Sequence, residues 1–149
     1  MAREIPWIKL VVLGLLGGLI AVVTLVVRGG TAIPDELQPI EWNRQPCAHC
    51  QMLVGEPRHA AQLITATGEV LVFDDPGCAL RYLEQRRPAV HRLWFHHGTE
   101  DRWIPSDRVG FTAGGTTPMG SGLVAVERDA PNALDLAAAS RVAFAKETP

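Results

Sequence analysis

Two thiols, one imidazole and one thioether fall within six residues, Cys47-Ala48-His49-Cys50-Gln51-Met52. Thiolate and thioether are soft donors, and soft donors select Cu(I) over harder ions. Cys50 and Met52 stand two residues apart, so an extended backbone would point both side chains to one face. The chain has three methionines, and one is the initiator. The other two, Met52 and Met119, lie in segments flanked by Pro and Gly instead of in apolar stripes. Packing offers a competing role, with Met52 starting a strand and Met119 filling a gap in the core. Zinc would call for a second Cys or His pair. Cys78 stands alone, and the adjacent His96 and His97 would point to opposite faces of a strand. Cys78 therefore reads as a small buried hydrophobe. His49 reads as a ligand, as a group that lowers a neighbouring thiol's pKa, or as an exposed turn residue. Asp74 and Asp75 read as helix caps, because hard carboxylates are poor partners for Cu(I).

The elements that must position these groups form an α+β domain with a small mixed or antiparallel sheet and two short helices. His59–Thr65 and Glu69–Phe73 read as strands joined through Ala66-Thr67-Gly68, with Gly where φ > 0 is needed. Asp74-Asp75-Pro76 opens a helix, with a carboxylate cap and Pro in the first turn. Arg86-Arg87 suit its C-terminal end, and Pro88 stops it. Val90–His96, Trp103–Ile104, Val109–Thr112 and Leu123–Glu127 are further strands, and Gly114–Gly122 is a glycine-rich loop carrying Met119. Asp129-Ala130-Pro131 repeats the Asp-x-Pro start, predicting a helix over Asn132–Ala139 and a last strand over Arg141–Ala145. Strand, Asp-x-Pro, helix, strand would then occur twice, which points to two related units.

Leu10–Val27 is an 18-residue stretch without a charge, long enough with its flanks to cross a hydrocarbon core of about 30 Å. Arg3 and Lys9 form a basic flank, Trp7 suits the aromatic belt, and Arg28 closes the other end. The length favours an uncleaved signal anchor over residues 1–28; a cleaved signal peptide with its site near Gly30-Thr31-Ala32 is the alternative. Residues 29–46, rich in Gly, Pro and acidic side chains, read as a linker, and 47–149 as the exported domain. No cysteine follows the apolar run closely, which excludes lipoprotein attachment. The chain has 149 residues, a formal charge of −2 and 47% hydrophobic residues. That apolar content excludes general disorder. The absence of a basic cluster excludes a nucleic-acid partner, and three cysteines are too few for a disulfide framework.

Five blocks in order resemble the NosL family, the copper-binding accessory proteins of nitrous oxide reductase maturation. They are Cys47-x-x-Cys50-x-Met52, then His59-Ala60-Ala61-Gln62, then Phe73-Asp74-Asp75 with Cys78 and Tyr82-Leu83. Trp103-Ile104 follows, and Thr117-Pro118-Met119-Gly120-Ser121-Gly122 with Val124-Ala125 completes the set. The resemblance implies a fold of two related α/β units and an exported Cu(I) carrier, not an enzyme. It implies that Cys50, Met52 and Met119 hold the metal, with Cys47 and His49 beside them. The resemblance implies a copper-enzyme client such as nitrous oxide reductase as partner. The membrane, through the N-terminal helix, is a second partner read from the apolar run, a departure from a family whose members are commonly lipoproteins. With so few local ligands, a site shared in a homodimer is compatible with the residues. Binding would deprotonate Cys50, so affinity should fall as pH drops. The rival function is a membrane-anchored thiol–disulfide oxidoreductase using Cys47 and Cys50. Against it, Gly55 and Pro57 leave no room after Cys50 for the helix that would stabilise a reactive thiolate.

Overall fold

The computed structural model describes residues 6–29 and 32–145. Arg3 of the basic flank and Gly30-Thr31 of the alternative cleavage site lie outside the described residues. The chain divides into two compact units, Met1–Ile33 and Pro34–Pro149.

Among the described residues, the first unit holds one helix, α1 (Pro6–Gly29). Its Lys9–Val26 window has a mean hydropathy of 2.5 and no buried residue. A helix apolar all round and uncovered by protein is long enough and apolar enough to cross a membrane.

Among the described residues, the second unit holds six strands and two α-helices. A short 3-10 turn at Pro57–His59 precedes β1 (Ala61–Thr65), so the strand begins two residues later than its apolar pattern predicts. β1 pairs antiparallel with β2 (Val70–Phe73) and with β3 (Val90–His96). β4 (Trp103–Pro105) completes a four-stranded sheet of order β2-β1-β3-β4. β5 (Val109–Ala113) and β6 (Leu123–Glu127) form a separate antiparallel pair. All sheet pairing is antiparallel, the second of the two sheet types expected.

Helix α2 (Pro76–Arg86) follows β2 directly, capped by Asp75 with Pro76 in its first turn and ended at Arg87 in the left-handed conformation. It lies on the sheet and against β6. Phe95 of β3 meets Phe111 of β5 edge-on, ring centroids 5.0 Å apart, which joins the two sheets. Such a contact adds about 1 kcal/mol beyond area burial.

β1 is buried along its whole length. Ala61 and Leu63 face one side and, by strand alternation, Gln62 and Ile64 the other. Gln62 is fully buried, and its amide exchanges two bonds with the Gln38 main chain, at 2.7 and 2.9 Å. Asp35 meets His91 and Arg92 of β3 at 2.9 and 2.8 Å. The part of segment 29–46 beyond Pro34 is thus laid on the sheet instead of standing free.

The C-terminal region corrects the sequence reading. Asp129-Ala130-Pro131 starts no helix, and no strand forms over Arg141–Ala145. Asn132 takes φ 59, and Leu134 and Phe111 exchange two main-chain bonds of 2.8 Å along β5. Helix α3 begins later, at Leu136, and runs to Ala145. Asp135 caps it by accepting from the Ala138 N–H at 2.7 Å. α3 packs on α2, where Arg81 donates two bonds to the Ala143 carbonyl. Strand-helix-strand therefore occurs once, as β2-α2-β3. The unit that recurs is a hairpin followed by a helix, β1-β2-α2 and β5-β6-α3.

Candidate metal centre

Cys47-x-x-Cys50 forms a tight knuckle. The Cys47 N–H donates to the Met52 carbonyl at 2.7 Å, and the Gln51 N–H donates back to the Cys47 carbonyl at 3.0 Å. Closing this ring forces Gln51 to φ 65, the left-handed region. Pro46 and Leu53 bridge behind it, and the Ala48 N–H binds the Val72 carbonyl of β2 at 2.9 Å. The knuckle is thereby fastened to the sheet edge beside the start of α2.

That placement brings together a cluster that the sequence reading divides. The sulfurs of Cys47, Cys50 and Cys78 all lie within 4.8 Å of one another, and all three are free thiols. Cys78 is fully buried, as its reading as a small hydrophobe requires, yet it stands among sulfurs in the first turn of α2. Its signal in the sequence was the order of parts: a Cys-x-x-Cys, a hairpin, then a capped helix with a cysteine in its opening turn.

The cluster stores negative charge on one atom. The Cys78 thiol donates to Cys47, and the main-chain N–H groups of Cys50, Asp74 and His49 also point at the Cys47 sulfur. Against the opposing effect of burial, they hold Cys47 down at about 5. Cys78, the donor in that bond and itself buried, is pushed up. Burial also raises Cys50, while the Met52 N–H partly offsets it. The ring of three thiols is thus a thiolate bridged to two protonated neighbours. His49 contributes through its main-chain amide, while its residue sits half-buried in the turn.

The methionines lie differently from one another. Gln51 in the left-handed region breaks the extended geometry that would set Cys50 and Met52 side by side. Cys50 is half-buried in the sulfur cluster, whereas Met52 is 55% exposed. Met119 is partly buried against the core. Its N–H donates to the Asp75 carboxylate at 3.0 Å, on the helix turn that carries Cys78. Asp74 accepts from the Gly55 N–H at 3.2 Å, which pins the far end of the knuckle loop. Asp75 is therefore both cap and fastening, whereas Asp74, expected as a cap, only fastens the knuckle loop. Burial raises the Asp74 carboxyl.

His96 and His97 are both buried, at the C-terminal end of β3 and just beyond it. His96 faces Asp101 at 3.2 Å, and the His97 ring accepts from the Glu100 N–H at 3.0 Å. Among the described residues, the three cysteines are the one cluster of ligand-bearing side chains, and it includes no His, Asp or Glu.

No protein-family model matches the sequence, and no curated protein matches it. Among solved structures the chain is similar to the copper chaperone NosL from Shewanella denitrificans, with 23% identity and a TM-score of 0.55. The similarity covers 65% of this chain and 84% of that one. The likeness is one of fold, and the backbone agrees with the architecture that the five residue blocks imply.

Proposed function

We propose that this protein is an exported, membrane-anchored carrier that holds Cu(I) on Cys47, Cys50 and Cys78 and passes it to a copper enzyme such as nitrous oxide reductase. The observation that carries the reading is the cluster of three sulfurs within 4.8 Å of one another, without a hard ligand among them. Three thiolates suit Cu(I), which tolerates low coordination numbers, whereas structural zinc wants four ligands. The copper chaperone named above shares the fold.

A graded exposure serves transfer. Cys47 and Cys78 are fully buried, Cys50 is half-buried, and Met52 lies on the surface. An incoming client ligand can engage the ion first where Met52 and Cys50 meet solvent and displace the donors one at a time. Met119 and His49 complete the rim as further donors. The helix Pro6–Gly29 serves as the anchor, with the domain on the extracytoplasmic side. Oxidoreductase chemistry has less support, because the most acidic thiol, Cys47, is shut away from an incoming disulfide.

The test is a competitive Cu(I) titration of the reduced full chain in detergent against a chromophoric chelator, beside Cys50→Ser, Cys78→Ser and Met119→Leu. One Cu(I) per chain, or one per two chains for a shared site, weakened by each substitution, is the expected result. Absence of binding under reducing conditions would overturn the carrier reading.

A further inference from the structure

A Met119 ligand needs something to bring its loop to the thiols, since a nine-residue loop with four glycines (Gly114–Gly122) has little stiffness of its own. The answer lies in one side chain. Asp75 is fully buried and uses its two oxygens on two different segments. Oδ1 accepts from the Gly77 N–H at 2.7 Å and so caps α2. Oδ2 accepts from the Met119 N–H at 3.0 Å.

The loop is built to receive that bond. The Gly120 N–H donates to the Thr117 carbonyl at 3.0 Å, and the Gly122 N–H to the Thr117 hydroxyl at 3.2 Å. The Leu123 N–H donates to the Ser121 hydroxyl at 3.2 Å. Ser121 then sits so close to the helix start that a Cβ on Gly77 would overlap its own Cβ. The loop is a self-bonded turn seated on the N-terminus of α2.

We infer that Asp75 is a positioning residue: it clasps the Met119 turn to the helix turn that bears Cys78, and so makes the Met119 thioether a ligand to the ion held by the thiols. This rests on the carrier reading and adds to it the device that assembles a ligand set from two separate segments.

Asp75→Asn tests it cleanly. Asparagine is as good a helix cap as aspartate, but it has one acceptor oxygen where the carboxylate has two. Bound to Gly77, it turns an NH₂ toward the Met119 N–H and breaks the clasp alone. Gly77→Ala, whose Cβ would overlap Ser121 and crowd Asp75 Oδ1 while both carboxylate oxygens are kept, is the second variant should the first not fold. Hydrogen exchange of the Met119 amide in the copper-free full chain reads the clasp directly, and protection should be lost in both variants. Selenomethionine-labelled chain carrying Met52→Leu, loaded with Cu(I), should show copper scattering at the selenium edge that disappears on Asp75→Asn. Cu(I) affinity should fall about tenfold, the usual cost of losing an outer-shell partner. On a Met119→Leu background, Asp75→Asn should cost nothing further.

Three results overturn the inference. Copper–selenium scattering that survives Asp75→Asn would show that Met119 needs no clasp. One Cu(I) bound without selenium contact in the parent chain would leave Asp75 nothing to position while the three-thiol carrier stands. No Cu(I) bound at all would remove both readings together.

Discussion

The three cysteines have unequal chemistry, and the inequality sets how loading depends on pH. Cys47, held at about 5 by its N–H and S–H donors, has already shed its proton at neutral pH. Cys50 and Cys78 are raised above the ordinary thiol value of 9.0 and retain theirs. A cation that engages all three thiolates displaces two protons above pH 5 and three below it. Affinity therefore falls as pH drops, by about 100-fold per unit near neutrality and more steeply in acid. A chelator competition run from pH 6 to 8 checks the slope. Ultraviolet thiolate absorbance of the copper-free chain should show one thiolate appearing near pH 5. Among single substitutions, Cys78→Ser should cost more than about 100-fold in Cu(I) affinity, the upper end for an outer-shell loss. Met52→Leu, at an exposed rim position, should cost closer to tenfold and mainly slow the hand-over to a client. Equal losses for the two would contradict the division into buried and rim donors.

Local chemistry made some elements legible and left others hidden. Asp75-Pro76 announces α2 because cap and proline act within one turn, and the structure starts the helix there. β3 and β6 have the bounds that their apolar runs predict, Val90–His96 and Leu123–Glu127. Asp129-Ala130-Pro131 carries the same local signal and fails, because the Leu134–Phe111 bridge lays the chain alongside β5 and delays the helix to Leu136, with Asp135 as its cap. Arg141–Ala145 alternates like a strand, yet packing on α2 makes it helical, a tertiary outcome that no local pattern contains. Cys78 was hidden for a related reason. Its partners are a whole hairpin away, and only the fold sets the knuckle over the start of α2. At this scale the join between α2 and α3 is testable. Arg81 is buried and donates both Nε and Nη2 to the Ala143 carbonyl, at 3.2 and 3.0 Å. Arg81→Ala should lower unfolding stability by about 2 to 3 kcal/mol in urea titrations. Cu(I) stoichiometry should not change, because the thiols are fastened by β2 and Asp75 instead.

For the whole molecule, the uncovered apolar window Lys9–Val26 predicts where the chain resides. The full chain should stay with membranes through an alkaline carbonate wash, and removal of residues 1–28 should release it. A full chain washed free would contradict the anchor. The fold also fixes what the cargo does to its carrier. The knuckle and Cys78 belong to segments separated by roughly 30 residues, and in the copper-free chain the sulfurs are joined by hydrogen bonds alone. A bound ion clips that loop shut and removes about 3 to 4 kcal/mol of chain entropy from the unfolded ensemble. Loading should raise the midpoint of thermal unfolding by about 10 °C. The cargo is thus also a staple. On the carrier reading, a protease that samples unfolded chains would destroy the empty protein before the loaded one, and the metal supply would set the lifetime of the protein that carries it.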